Sequence, residues 1–199
     1  MKKSIKYLFL GLVLGVSLTA CGKEHNSSLE QSSNTTPTYA IYDELYSNSL
    51  NNAKTLAIKF DVTDSDTLIY SSYLLVEFNE SEFVETKTVK SLNSTSFALE
   101  EKTTTTTNEV GSRNDYLKLS FANASNIISN NNEITFEVVK DKLDEFMGSN
   151  SEDIKNESLS FKALCDSNNM KSLNTSYETT SGFNCSYQVS FTYFTYEEV

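Results

Sequence analysis

The stretch Thr55-Leu-Ala-Ile-Lys-Phe-Asp-Val62 decides how this chain folds. Leu56, Ile58, Phe60 and Val62 alternate with Ala57, Lys59 and Asp61, and a period of two sends the two sets to opposite sides of an extended backbone. That is the pattern of a half-buried strand. Residues 67–79 repeat it with Leu68, Tyr70, Leu74, Val76 and Phe78. Residues 83–92 and 95–107 are rich in β-formers, and the five threonines Thr103 to Thr107 suit an exposed strand. Upstream, over residues 39–54, Ile41, Leu45 and Ser49 fall at helical spacing with Tyr42 and Tyr46, which predicts a short amphipathic helix.

Downstream, Gly111 and Asn114 mark a turn, and Leu117, Leu119 and Phe121 predict a strand over residues 116–121. Asn130, Asn131 and Asn132 read as a turn between two apolar runs. Residues 139–147 read as a brief helix closed by Gly148. Residues 159–165 and 185–196 are the last two strands. The second carries Tyr187, Val189, Phe191 and Tyr193 on one side, which reads as a core face rather than a binding surface. The regular spacing predicts a mainly β fold, an antiparallel β-sandwich or small barrel of about eight short strands with one or two short helices.

The N-terminus carries a second message. Lys2, Lys3 and Lys6 precede an apolar run over residues 7–16, long enough for a secretory signal and too short to span a bilayer. Leu18-Thr19-Ala20-Cys21 follows, and this segment resembles the lipobox of bacterial lipoproteins. The resemblance implies cleavage before Cys21 and lipidation of its sulfur, palmitate being one of the usual acyl groups. Several acyl chains on one residue hold a protein firmly where one alone holds it marginally. Gly22 stands where an Asp would mark inner-membrane retention in many Gram-negative bacteria, so the resemblance points to the outer membrane, facing the periplasm or the exterior. Three segments follow: a signal peptide over residues 1–20, a lipidated cysteine with a polar tether over 21–38, and one β-rich domain over 39–199. The tether has a reach of about 20–25 Å at 5–6 Å times the root of its length.

Removing residues 1–20 removes three lysines and no acid, so 16 basic residues fall to 13 against 27 acids, a net charge of −14. Such a surface repels phosphate backbones and anionic headgroups, which argues against nucleic acid and leaves lipid as the membrane attachment. With Cys21 assigned to lipid, Cys165 and Cys185 remain. In an oxidising envelope an isolated pair reads as a disulfide, here closing a polar loop for about 3 kcal/mol by chain entropy, with two free thiols as the alternative.

No catalytic constellation stands out. The single histidine, His25, lies in the tether, which removes histidine-based catalysis and histidine metal sites from the domain. No nucleophile elbow or phosphate-binding glycine loop occurs. Asp61, Asp64 and Asp66 cluster between two strands, yet the glycine and closing glutamate of a calcium loop are missing, and a plain turn is the better reading. Glu24-His-Asn26-Ser-Ser28 and Glu77-Phe-Asn79-Glu-Ser81 resemble an extended acidic glycosylation sequon, a weak pattern in so Asn-rich a chain. The expectation is a non-enzymatic, lipid-anchored envelope protein that contacts a protein partner and needs no metal or cofactor. The alternatives are a carrier or sensor for an apolar or glycan ligand, its site lined by Phe and Tyr within a barrel, and a hydrolase built on paired carboxylates.

Overall fold

The computed structural model describes residues 38–93, 95–147, 153–166 and 168–193. The lipobox, most of the tether with His25 and Asn26, and the Gly148 cap lie outside them. The chain runs α1 (Thr38–Asn52), β1 (Ala53–Asp64), β2 (Thr67–Phe78), β3 (Glu82–Leu92), β4 (Leu99–Glu109), β5 (Ser125–Asn130), β6 (Glu133–Val139), α2 (Leu143–Met147), β7 (Ser158–Cys165), β8 (Met170–Glu178) and β9 (Asn184–Tyr193). The fold is mainly β and every strand pairing is antiparallel, as the alternation required. The strands form one open sheet of order β4-β3-β2-β1-β9-β8-β7-β6-β5, rather than two stacked sheets or a closed barrel.

The order has a simple logic. β1 to β4 meander outward to one edge, and β5 to β9 meander back inward from the other until β9 pairs with β1. The link between β4 and β5 must therefore travel from one edge of the sheet to the other. It does so over residues 110–124, and this explains Leu117, Leu119 and Phe121. All three are buried, as their spacing indicated, but the segment is an extended crossing with two single 3₁₀ turns, not a strand. It packs over the sheet as a cover.

Helix α1 lies beside this crossing and joins β1 without a loop. It holds the crossing by polar contacts: Tyr46 donates its hydroxyl to the Leu117 carbonyl, and Asp43 accepts the Phe121 N–H at 2.7 Å. Buried Ser49 donates to the Leu45 carbonyl and accepts the Met170 N–H at 2.7 Å, tying the helix to the start of β8. No basic residue occupies the last turn of α1, and Arg113 of the crossing fills that role. Its guanidinium donates to the Leu50 and Ala53 carbonyls and lies 4.3 Å from the centre of the Phe78 ring. The positive group thus satisfies carbonyls that a helix end leaves open.

Beneath this cover Phe121, Phe136, Phe146 and Phe161 pack as one cluster with centroids 5.0–5.8 Å apart, Phe136 and Phe161 stacking nearly parallel. Each ring is buried, and such burial contributes roughly 1.5–3 kcal/mol per side chain. Tyr187, Val189, Phe191 and Tyr193 of β9 face this side, so their alternation is a core face. A smaller cluster of Phe60, Val62, Ile69 and Cys185 sits at the β1–β2 turn end.

The polar segment between the cysteines departs from expectation. Rather than a loose connection it contains β8, whose Met170, Leu173 and Thr175 are buried. Thr175 meets the cost of burial by donating to the Ser160 carbonyl of β7 at 2.8 Å.

Candidate functional site

One side of the sheet lies under α1 and the crossing; the other carries no covering element among the described residues. Alternation places a polar array on this open face. One row runs Thr105, Thr86, Leu75, Ala57, Ser190, Ser172, and the next Thr103, Thr88, Tyr73, Lys59, Gln188, Asn174. Hydroxyls link neighbouring strands across it: Thr55 with Thr192 at 2.6 Å, and Thr88 with Thr103 at 3.0 Å. Ser71 donates to Asp61 at 2.7 Å, and Asp61 also pairs with Lys59 at 2.6 Å, so the charges near the middle of the sheet neutralise one another.

A shallow depression of about 380 Å³ lies here over β1, β2 and β9. Ala57, Leu75 and the Tyr73 ring give it an apolar floor, and Thr55, Lys59, Gln188, Ser190 and Thr192 give it a polar surround. The composition is amphipathic: small apolar patches among hydroxyl and amide donors and acceptors. The Phe and Tyr rings of the covered face, by contrast, pack on one another rather than around a lumen.

The expected staple between Cys165 and Cys185 is corrected by the strand register. Both are buried free thiols. Cys165 lies opposite Met170 near one end of β8, and Cys185 opposite Tyr177 near the other. Seven residues at about 3.3 Å each, plus two inter-strand steps of about 4.8 Å, put their backbones roughly 25 Å apart. A disulfide tolerates a Cα separation of about 4.4–6.8 Å. Burial pushes the Cys185 thiol up to about 11, against a bond from Tyr177 that favours the thiolate. Burial, assisted by Asp166, also raises Cys165. Both therefore behave as inert, apolar-packed thiols.

The acidic cluster resolves into a tight hairpin. Ser65 and Asp66 both have positive φ, 46° and 72°, the signature of a two-residue turn of the primed type. Asp64 accepts from the Ser65 hydroxyl, and Asp61 belongs to the open face instead. Among the described residues no group of three or more metal-ligating side chains converges, and no Asp or Glu is buried. Asn79 of the second sequon-like stretch is exposed at the β2–β3 turn. No helix among the described residues is long and apolar enough to cross a membrane.

The class of molecule this defines is an open antiparallel sheet with one covered and one uncovered face. A scan of protein-family models and a search of the curated proteins find no match to the chain.

Proposed function

We propose that this protein is a lipid-anchored envelope lipoprotein of non-enzymatic type, held by acyl chains on Cys21, whose uncovered sheet face contacts a partner protein in the envelope. The observation that carries the reading is that face: hydroxyl and amide side chains aligned in register across the central strands, with no element among the described residues laid over them. The resemblance of Leu18-Thr19-Ala20-Cys21 to a lipobox supplies the address, and an outer membrane is the destination that Gly22 favours.

Two experiments test it. In the native host, Cys21→Ser is expected to abolish palmitate labelling and leave unprocessed precursor; normal labelling and cleavage would overturn the anchor. A photo-crosslinking residue at Tyr73 or Gln188 in intact cells is expected to give one reproducible adduct that is absent when it is placed at Asn126. Adducts that do not depend on position would remove the docking face.

The depression supports a second reading, a glycan ligand. Its apolar floor under Tyr73 and its rim of Thr55, Gln188, Ser190 and Thr192 match the two chemical faces of a sugar ring, apolar CH groups and hydroxyls. This favours a glycan over a wholly apolar ligand. Retention of the protein on a glycan array, lost in Tyr73→Ala, is the expected result under this reading.

A further inference from the structure

We infer that β4 is a self-pairing edge: two copies of this chain join β4 to β4, antiparallel, about a two-fold axis at Thr104, making one continuous sheet from two. The inference does not rest on the lipid anchor or on the open face.

An edge strand presents a row of unpaired N–H and C=O groups, and proteins that stay single blunt their edges with short strands, bulges, prolines or charged side chains. The other edge of this sheet is blunted in that way. β5 has six residues, its register against β6 slips between Ser125 and Ile128, and Asn126 turns to a φ of 51°. β4 is not. It runs eleven residues, pairs with β3 in unbroken register from Leu99 to Glu109, and contains no proline; its charges, Glu100, Glu101, Lys102 and Glu109, lie toward its ends and leave Thr103 to Thr107 uncharged at the centre. Its side chains are exposed along nearly the whole length.

The occupant follows from the strand's own sequence. A two-fold axis normal to the sheet requires a residue of one copy to face a residue of the same parity in the other. The register centred on Thr104 pairs all eleven residues and sets Glu100 against Asn108, Glu101 against Thr107 and Lys102 against Thr106. No acid faces an acid. Centring on Lys102 sets lysine against lysine, and centring on Thr105 sets Glu101 against Glu109. Like charges directly opposite destabilise a pair, whereas threonine pairs stabilise it; centring on Thr103 also avoids like charges but leaves Asn108 and Glu109 without strand partners, so the Thr104 register is the one that pairs the whole strand without repulsion.

The ends of β4 give a second, independent reason. Phe97, Leu99 and Val110 are 77%, 45% and 51% exposed. Phe97 also holds a φ of 55°, a region that costs a bulky residue energy, and does so with its ring in solvent. Within the strand, the Thr104 register sets Leu99 of one copy against Glu109 of the other, next to Val110, and symmetry repeats the contact. The exposed apolar groups at the two ends of β4 are thereby brought close to one another.

The test is a cysteine at the axis. In the full-length protein in cells, Thr104→Cys is expected to form a disulfide-linked dimer under mild oxidation, because facing residues of an antiparallel pair stand about 4.5–5.5 Å apart at Cα. Ile128→Cys on β5 is the control expected to stay monomeric. Glu101→Cys mixed with Thr107→Cys is expected to crosslink as a mixture and not singly, which fixes the register. In sedimentation of the purified full chain in micelles, Thr104→Lys and Thr104→Glu are each expected to weaken dimerisation about tenfold or more, and the two mixed to restore it. A folded Thr104→Cys protein that gives no dimer overturns the inference, as does a crosslink to a chain of different mass.

Discussion

The hairpins β3–β4 and β6–β7 are built from the same ladder and live in different surroundings. Both pair in continuous antiparallel register. In β6–β7 every second residue is buried, and Phe136 and Phe161 stack across the pair with centroids 5.2 Å apart. In β3–β4 only Phe83 is buried, and threonines face one another across the outer strand. The comparison teaches that backbone pairing and β-propensity are enough to extend a sheet beyond its core, while side-chain burial decides where the stability resides.

That contrast breaks or sharpens under four measurements. The largest effect is expected in native-state hydrogen exchange. In the monomer, amides of the β6–β7 ladder should open only near global unfolding, typically 5–15 kcal/mol, while outer β4 amides open near the bottom of the scale. Equal protection along both hairpins would erase the distinction. Phe136→Ala is next, with an expected loss of about 3–5 kcal/mol in denaturant titration, since the ring is closed in by Phe121, Phe146 and Phe161. A loss under about 1 kcal/mol would mean that the cluster collapses to fill the gap.

Alkaline pH gives the third. Burial raises the Tyr46, Tyr177 and Tyr187 hydroxyls, and raises Tyr116 and Tyr193 to about 12 and Cys185 to about 11. The folded state then holds protons that the unfolded chain releases from about pH 9 to 10. These groups contribute fully below that range, and their contribution is lost as pH rises toward 11–12. Tyrosinate absorbance and loss of strand signal are expected to rise together in that window; ionisation of these tyrosines without unfolding would contradict their burial. The smallest effect belongs to Thr105→Ala on β4, expected within about 0.5 kcal/mol of the parent. A cost above 1 kcal/mol in the monomer would show β4 to be braced more firmly than its exposure indicates.

How much of this was legible in the residues varies by element. β1, β2 and β9 announced themselves by alternation, β3 and β4 by β-rich composition, and α1 by helical spacing. β8 did not, because Thr175 takes a buried place on its apolar side while Ser172 and Asn174 hold the open face, and polar composition reads as loop. The crossing showed the reverse fault. Leu117, Leu119 and Phe121 have a strand's period, but their partners are a helix and a sheet face, so the period reported burial on one side and nothing about hydrogen bonding. The uncovered face was half legible: Lys59, Tyr73, Gln188 and Ser190 occupy the polar phase of their strands, but their adjacency depends on which strands meet.

Alone, the sequence determined the strand-rich class, the acidic composition and the resemblance to a lipoprotein signal, because each rests on local pattern or composition. Tertiary structure decided the single open sheet, the crossing that covers one face, and the separation of Cys165 from Cys185. Those depend on strand order and register, which are set by contacts between residues far apart in the chain. Two cysteines twenty residues apart look like neighbours along the chain; the intervening strand β8 holds them at its two opposite ends.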